Sequence, residues 1–433
     1  MFGRATAVFL IIGLAIIVSS CGDDGGSPSP TDEGTPTETP HSDLGAAEAV
    51  VIYASPDGTA EALRQVLGAG APAKLFLSGS SRDEASFGGV SLPGDFIAKG
   101  VSLTAIESET FDAAYEARFG MSPAEFAGVR EAYDAVYLVT LAAAAANSTD
   151  AAAIRDNVHY VANSPGEILG PGGEGFSAAA QTLAEGGDIN YIGVSGQVDF
   201  TVDGDLAKGR VTVWRLLGER IVDLEIRDVD LAAEIGADIP AGELSPVAGT
   251  PNGPLRIGAV LPLETDAGGA VRDAMQMAVD EINDAGGLFG AQIELVIESA
   301  DDPTEAAAVA RNMEDQDVSA IVGPPGEGAL AVADAVHGLY IALTSSSALR
   351  LDAGGQIFRA AMSESLETPP LANIALEDEA TVVCVVFEPG ADHETLANAF
   401  RDAFELKGGG VRLVVELGDD DAVGGAISAC LGT

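Results

Sequence analysis

From residue 49 onward, short apolar runs alternate with longer stretches in which apolar residues recur every three or four positions. The clearest case lies mid-chain. Residues 255–263 are apolar apart from Arg256 and are closed by Pro262, the pattern of a buried strand. Residues 270–283 place Ala274, Met277, Ala278 and Ile282 at helical spacing, with Asp273, Asp280 and Glu281 between them. Gly286-Gly287 stops that helix, and residues 292–297 read as the next strand. Strand, helix and strand in this order form a βαβ unit, which requires a parallel sheet covered on both faces. The series continues with helix 303–314, strand 320–323, helix 329–337, and strands 340–344 and 356–360. It closes with helix 365–377, strand 381–387, helix 392–407, strand 411–416 and a short helix 422–430.

The earlier part of the chain has a different rhythm. Strands are expected at 49–54, 74–78 and 101–106, and helices at 58–68, 110–119, 124–147, 151–162 and 176–185. A loop falls at 170–173. Strands 196–200 and 210–216 flank an Asp203-Gly204 turn, a hairpin rather than a βαβ unit. Residues 226–253 hold Pro240, Pro246 and Pro251 with weak periodicity and read as a connector. Residues 21–45 are mostly Gly, Ser, Pro, Thr, Asp and Glu, a tether that cannot bury a core. Residues 1–20 carry Arg4, an apolar run at 8–18 and then Ser19-Ser20. The run is too short to span a bilayer and reads as the core of a signal peptide.

The chain has 433 residues, room for two or three domains. Hydrophobic residues are 47% and aromatics only 5%, so the core must be built from Ala, Val, Leu and Ile. Acidic residues outnumber basic ones 67 to 21, a formal charge of −46. That charge excludes nucleic acid and anionic lipid surfaces as partners, because both are bound through clustered Lys and Arg. It gives a soluble surface and would suit a salty medium, in which case added salt should not lower stability.

Enzyme chemistry finds little support. Gly193-Val-Ser-Gly-Gln197 lacks the last glycine of a nucleophile elbow. Gly68-Ala-Gly-Ala-Pro-Ala73 follows a helix rather than a strand, which rules against a dinucleotide loop. His41, His159, His337 and His393 stand far apart, without metal-ligand spacing. Asp199, Asp203 and Asp205 around Gly204 are better explained by a turn than by calcium. No enzyme activity, cofactor or metal is expected.

Two resemblances add to this reading. Val18-Ser-Ser-Cys21 resembles the lipobox of bacterial lipoproteins. The resemblance implies that Cys21 is acylated and becomes the new N-terminus, anchoring the chain to a membrane outside the cytoplasm; an ordinary signal peptide with a chance cysteine is the alternative. The second covers about 350 residues. Ile257-Gly-Ala-Val-Leu-Pro-Leu263, Ala278-Val-Asp-Glu-Ile-Asn283, Gly286-Gly287, Ala320-Ile-Val-Gly-Pro324, Phe358-Arg359 and Leu371-Ala372 resemble the first half of periplasmic binding proteins of the branched-chain amino-acid type. Tyr115-Glu-Ala-Arg-Phe-Gly120, Tyr133-Asp-Ala-Val-Tyr-Leu138, Ala144-Ala-Ala-Asn-Ser-Thr-Asp150, Ile154-Arg155, Pro165-Gly166, Gly187-Asp-Ile-Asn-Tyr191 and Ser195-Gly-Gln-Val-Asp-Phe200 resemble the second half.

The order is reversed, which implies a circular permutation, with the old termini joined by the connector; two truncated modules in tandem are the rival. The implied fold is α/β, a two-lobed type I periplasmic-binding-protein fold, each lobe a parallel sheet with helices on both faces. Residues 46–225 would be the second-half segment and 254–433 the first. One lobe would hold 254–370 plus 108–190, the other 376–433 plus 46–105 and 193–225. The implied function is capture of a small amino-acid-like ligand between the lobes for an ABC importer, as a monomer; a sensor or surface-interaction protein that keeps the fold without transport is the alternative.

The resemblance also implies a site at the carboxyl ends of the parallel strands. It would comprise Glu327 and Gly328 in one loop, Ser345, Ser346 and Ser347 in a second, and Asp392, Ser80 and Lys99 from the other lobe. The family usually has Ser where Glu327 stands and often Thr where Ala348 stands. Asp392 lies near a usual Tyr, and Lys99 near a Glu that pairs with a ligand ammonium. These four departures fit an ordinary zwitterionic amino acid poorly. They point to a different ligand, cationic at the first-lobe end, or to lost binding; for Glu327 and Lys99, plain solvated loop charge is the competing account. With Cys21 lipidated, Cys384 and Cys430 remain, and a bridge or two buried thiols both stay open.

Overall fold

The computed structural model describes residues 44–70, 72–88, 96–248, 251, 253–351, 355–418 and 420–433. The expected signal peptide, Cys21 and nearly all of the tether lie outside the described residues. The first segment contributes β1 (Ala49–Tyr53), β2 (Lys74–Leu77), β3 (Ile97–Leu103), β4 (Glu167–Leu169), β5 (Ile189–Gly193), β6 (Gly196–Gln197), β7 (Lys208–Leu217) and β8 (Arg220–Asp230). The second contributes β9 (Arg256–Leu261), β10 (Glu294–Ser299), β11 (Ala320–Pro325), β12 (Tyr340–Leu343), β13 (Ile357–Arg359), β14 (Val382–Phe387) and β15 (Gly410–Glu416).

Seven strands form one sheet in the order β15-β14-β1-β2-β3-β7-β8. Its centre is sewn from both segments: β1 runs parallel to β2 and to β14, with Val51 opposite Phe76 on one side and Val385 on the other. Side chains alternate across this sheet as a doubly covered strand requires. Val51, Tyr53, Val383 and Val385 enter one core, Val50, Ile52, Cys384 and Val386 the other. Antiparallel β7 and β8 extend the far side. Gly100 in β3 leaves room for the Trp214 indole, which lies 2.1 Å from where a Cβ would stand. Cys384 on β14 and Cys430 on helix Asp420–Leu431 form a disulfide. The Ala47 N–H donates to the Cys430 carbonyl at 3.0 Å, joining the start of the first segment to the end of the second.

The other lobe carries a five-stranded parallel sheet, β10-β9-β11-β12-β13, drawn wholly from residues 256–359. Its cover comes from both segments. Helix Val129–Ala146 is buried along almost its whole length, with Arg130 and Asp134 among the buried side chains, and packs against helix Asp266–Asp284 in the largest core. Beside it lies the small sheet β4-β5-β6. The chain crosses between lobes four times, at residues 104–108, 198–207, 231–255 and 360–366.

Several boundaries differ from the sequence expectation. The connector starts later than residue 226, because β8 runs to Asp230 and helix Leu231–Ile235 follows it. Beyond that helix the connector is bracketed by asparagines. The Asn163 amide donates to the Pro240 carbonyl at 2.7 Å, Asn157 pairs with the backbone of Ser245 through both its amide atoms, and Asn147 donates to the Val247 carbonyl at 3.1 Å. The expected hairpin around Asp203-Gly204 reduces to one bridge, Phe200 to Leu206. β6 pairs instead with β5, while β7 takes β8 through a turn at Gly218. Helix 151–162 divides into Ala151–Arg155 and Val158–Ala162, because Asn157 between them turns its side chain to outside backbone. Helix 124–147 starts only at Val129, after Gly128 at φ +86°. The strand expected at 101–106 sits earlier, at β3.

Candidate functional site

In the larger sheet, β1, β2 and β14 end in Tyr53, Leu77 and Phe387, and the turns beyond these ends carry polar groups at the lobe boundary. Ser80 donates to the Ala54 carbonyl at 2.9 Å and pairs with Ser78 Oγ. The Ser55 N–H donates to Glu388 at 2.7 Å. Burial would raise the Glu388 carboxyl, but its bonds from Ser55 outweigh that and hold it below the usual carboxylate range.

The crossing at 360–366 and the residue that follows it add two acids. Glu367, 4% exposed, accepts the Gly79 N–H at 2.7 Å and the Leu103 N–H at 2.9 Å, closing the ends of β2 and β3. Burial pushes its carboxyl up to about 8 against those two bonds. Glu364 is pushed up to about 7 by burial and then by the Asp392 carboxylate, with Arg359 opposing.

From the other lobe, the loop after β12 carries Ser345, Ser346 and Ser347. Arg359, 2% exposed, braces it from beneath: the guanidinium donates to the carbonyls of Ser346 at 2.6 Å and Leu349 at 3.2 Å and to Ser363 Oγ at 2.9 Å. A buried guanidinium stays charged and needs a counter-ion. Asp205, with Oδ1 3.3 Å from Arg359 Nε, supplies it. The Gly204 carbonyl accepts the Arg359 N–H, so the braced loop is tied to a second crossing.

The two lobes meet where this loop reaches the start of helix Ala391–Leu406. Ser346 Oγ at 2.7 Å, Ser347 Oγ at 3.0 Å and the Ala348 N–H at 2.8 Å all donate to Asp392 Oδ1. Burial would raise the Asp392 carboxyl, but these bonds prevail and hold it below its ordinary value.

Of the residues named from sequence, the structure therefore brings Ser346, Ser347 and Asp392 into direct contact, with Ser345 one residue away. Glu327 stands exposed beside Gly328 at the start of helix Gly328–Ala333. Lys99 needs correction. Its ammonium pairs with Asp378 at 2.7 Å, beyond the carboxyl end of helix Thr368–Glu377. That ten-residue helix begins beside Glu367 at the cleft, so Asp378 lies about 15 Å away and Lys99 faces the wrong end of the sheet. Arg359, Glu364, Glu367 and Glu388 were not picked out as site residues. The one sequence signal for the middle pair was two acids within the otherwise small and apolar stretch 360–372.

Residues 254–425 match the profile of the family described as periplasmic binding protein. Across these residues the chain is similar to that family. Solved structures with similarity include the branched-chain amino acid transporter substrate-binding protein LivJ from Streptococcus pneumoniae, in complex with isoleucine. It is 26% identical, with a TM-score of 0.30, over 38% of this chain and 49% of that one. An ABC transporter substrate-binding protein from Desulfitobacterium hafniense is 22% identical, with a TM-score of 0.33, over 39% of this chain and 51% of its own. The chain thus spans about half the length of these solved structures. No curated protein matches it. The family is extracytoplasmic, and among the described residues no helix is long and apolar enough to cross a membrane.

Proposed function

We propose that the protein is a lipid-anchored, extracytoplasmic solute-binding protein, a circularly permuted periplasmic binding protein. It captures a small amino-acid-like solute between its lobes and presents it to an ABC permease. The observation that carries this reading is the pairing of β1 with both β2 and β14, which makes one sheet from the two ends of the described chain. Two independent half-modules would not share a sheet. The mechanism is closure of the lobes: the solute contacts both and favours the closed state by its differential affinity. Cys21 holds the molecule at the membrane, and the acidic tether spaces it from the surface. Thermal-shift screening of the purified protein against amino acids, amides, amines and aromatic acids tests capture; stabilisation by none of them would count against it. Cys21→Ser should release the protein from the membrane fraction. A sensor without a transport partner is the second reading, favoured by the direct bond between lobes at Asp392. Co-purification with a permease separates the two.

A further inference from the structure

Three donors from one lobe converge on a single carboxylate oxygen of the other. Ser346 Oγ, Ser347 Oγ and the Ala348 N–H all meet Asp392 Oδ1, and Ser347 Oγ also lies 2.9 Å from the Asp392 carbonyl. Two hydroxyls and a backbone N–H on one oxygen are the kind of donor set by which proteins hold a free carboxylate. Arg359 makes the set one-sided. It occupies carbonyls of the loop at Ser346 and Leu349, and the Glu364 N–H takes that of Ser345. Three carbonyls of the loop are thus taken from beneath, while the Ser346 and Ser347 hydroxyls and the Ala348 N–H face an anion. The anion present is the protein's own.

We propose that Asp392 is the built-in occupant of a carboxylate cradle and therefore the residue that sets specificity: the cleft admits solutes without a carboxylate of their own, amines and amides rather than free amino acids. This rests on the solute-binding reading above and narrows its ligand class. A competing carboxylate would have to displace Asp392, or be placed beside it and Glu364, where two acids already crowd each other.

The probe is acetate, the smallest carboxylate that could refill the cradle. In thermal-shift and small-angle scattering measurements on the whole protein, the wild type should not respond to millimolar acetate. Asp392→Ala should expand, and acetate should restore both its compactness and its melting temperature. Asp392→Asn keeps an oxygen acceptor of the same shape and should stay closed and indifferent to acetate. If the alanine variant does not fold, Asp392→Ser takes its place, since Ser is favoured at helix N-termini. A folded alanine or serine variant that ignores acetate overturns the proposal. So does a wild-type protein stabilised by free amino acids, although solute capture would then stand. An acetate response in the variant, beside a wild type that answers to no amine or amide, supports the cradle and sinks solute capture instead.

Discussion

The two principal sheets solve the same packing problem with different stretches of chain. The five-stranded sheet is contiguous: every strand lies between residues 256 and 359, and each finds its partner within about a hundred residues. The seven-stranded sheet depends on closure of the whole molecule, because β14 and β1 are separated by more than three hundred residues. Contacts so distant in sequence are the slowest to form, since the loop must close before they stabilise anything. The contrast teaches that the first sheet can organise locally while the second waits for both ends.

The sharpest way to break this comparison is to cut the chain. A fragment of residues 254–433 keeps all five strands of the contiguous sheet, but loses β1, one of the two neighbours of β14, and the helix Val129–Ala146 that covers helix Asp266–Asp284. It should bind hydrophobic dye and unfold without cooperativity, and co-expression with residues 44–253 should restore a cooperative transition. An independently stable fragment would refute the dependence. Next in size is the disulfide. Removing Cys384 and Cys430 together frees a loop with a sequence separation of 46 and should cost about 4 kcal/mol in a denaturant titration, confined to the sewn sheet. Hydrogen exchange should show β14 and β15 loosened and β9 to β12 unchanged.

Titration gives a third, smaller handle, again on the sewn side. Glu367 has its folded value raised to about 8, so its neutral form is favoured in the fold. Its stabilising contribution is full below the unfolded value of about 4.3 and is lost as pH rises through about 8. Stability should therefore fall between pH 5 and pH 8 by at most about 1.4 kcal/mol per pH unit from this group. Glu364 acts in the same direction through about 7. Asp392 and Glu388, held low, act oppositely and lose their contribution only on stronger acidification. Glu367→Gln should flatten the slope between pH 5 and 8; an unchanged slope would show that the acid is ionised throughout. The smallest effect belongs to Lys99. Its ion pair with Asp378 is partly exposed, so Lys99→Ala should cost no more than about 1 kcal/mol and leave solute binding untouched. Lost binding would put Lys99 back in the cleft.

What could be read from sequence follows the same division. β9, β11, β14 and β1 are covered on both faces, and such strands appear as unbroken apolar runs. β8 is an edge strand with exposed Val222, Leu224 and Ile226 among charges, and its pairing with β7 shifts register between Glu225 and Asp223. That irregularity erases the period of two, so residues 226–230 of the strand read as connector. At the site, hydroxyl-bearing Ser345 to Ser347 and Asp392 could be named one by one. Their bond to each other could not, because Ser346 and Asp392 meet only across two lobes. Lys99 was misplaced because a strand position tells which sheet a side chain joins but not which end it leans toward.

The asparagine-bracketed connector has a mechanical meaning. A two-lobed clamp with three crossings can both swing and twist. Here residues 231–255 add a fourth ligature, and Asn147, Asn157 and Asn163 fasten it along one lobe rather than leaving it slack. Its free span is short, so opening should proceed as a plain swing with little rotation, and lengthening the span by a few glycines should release the twist.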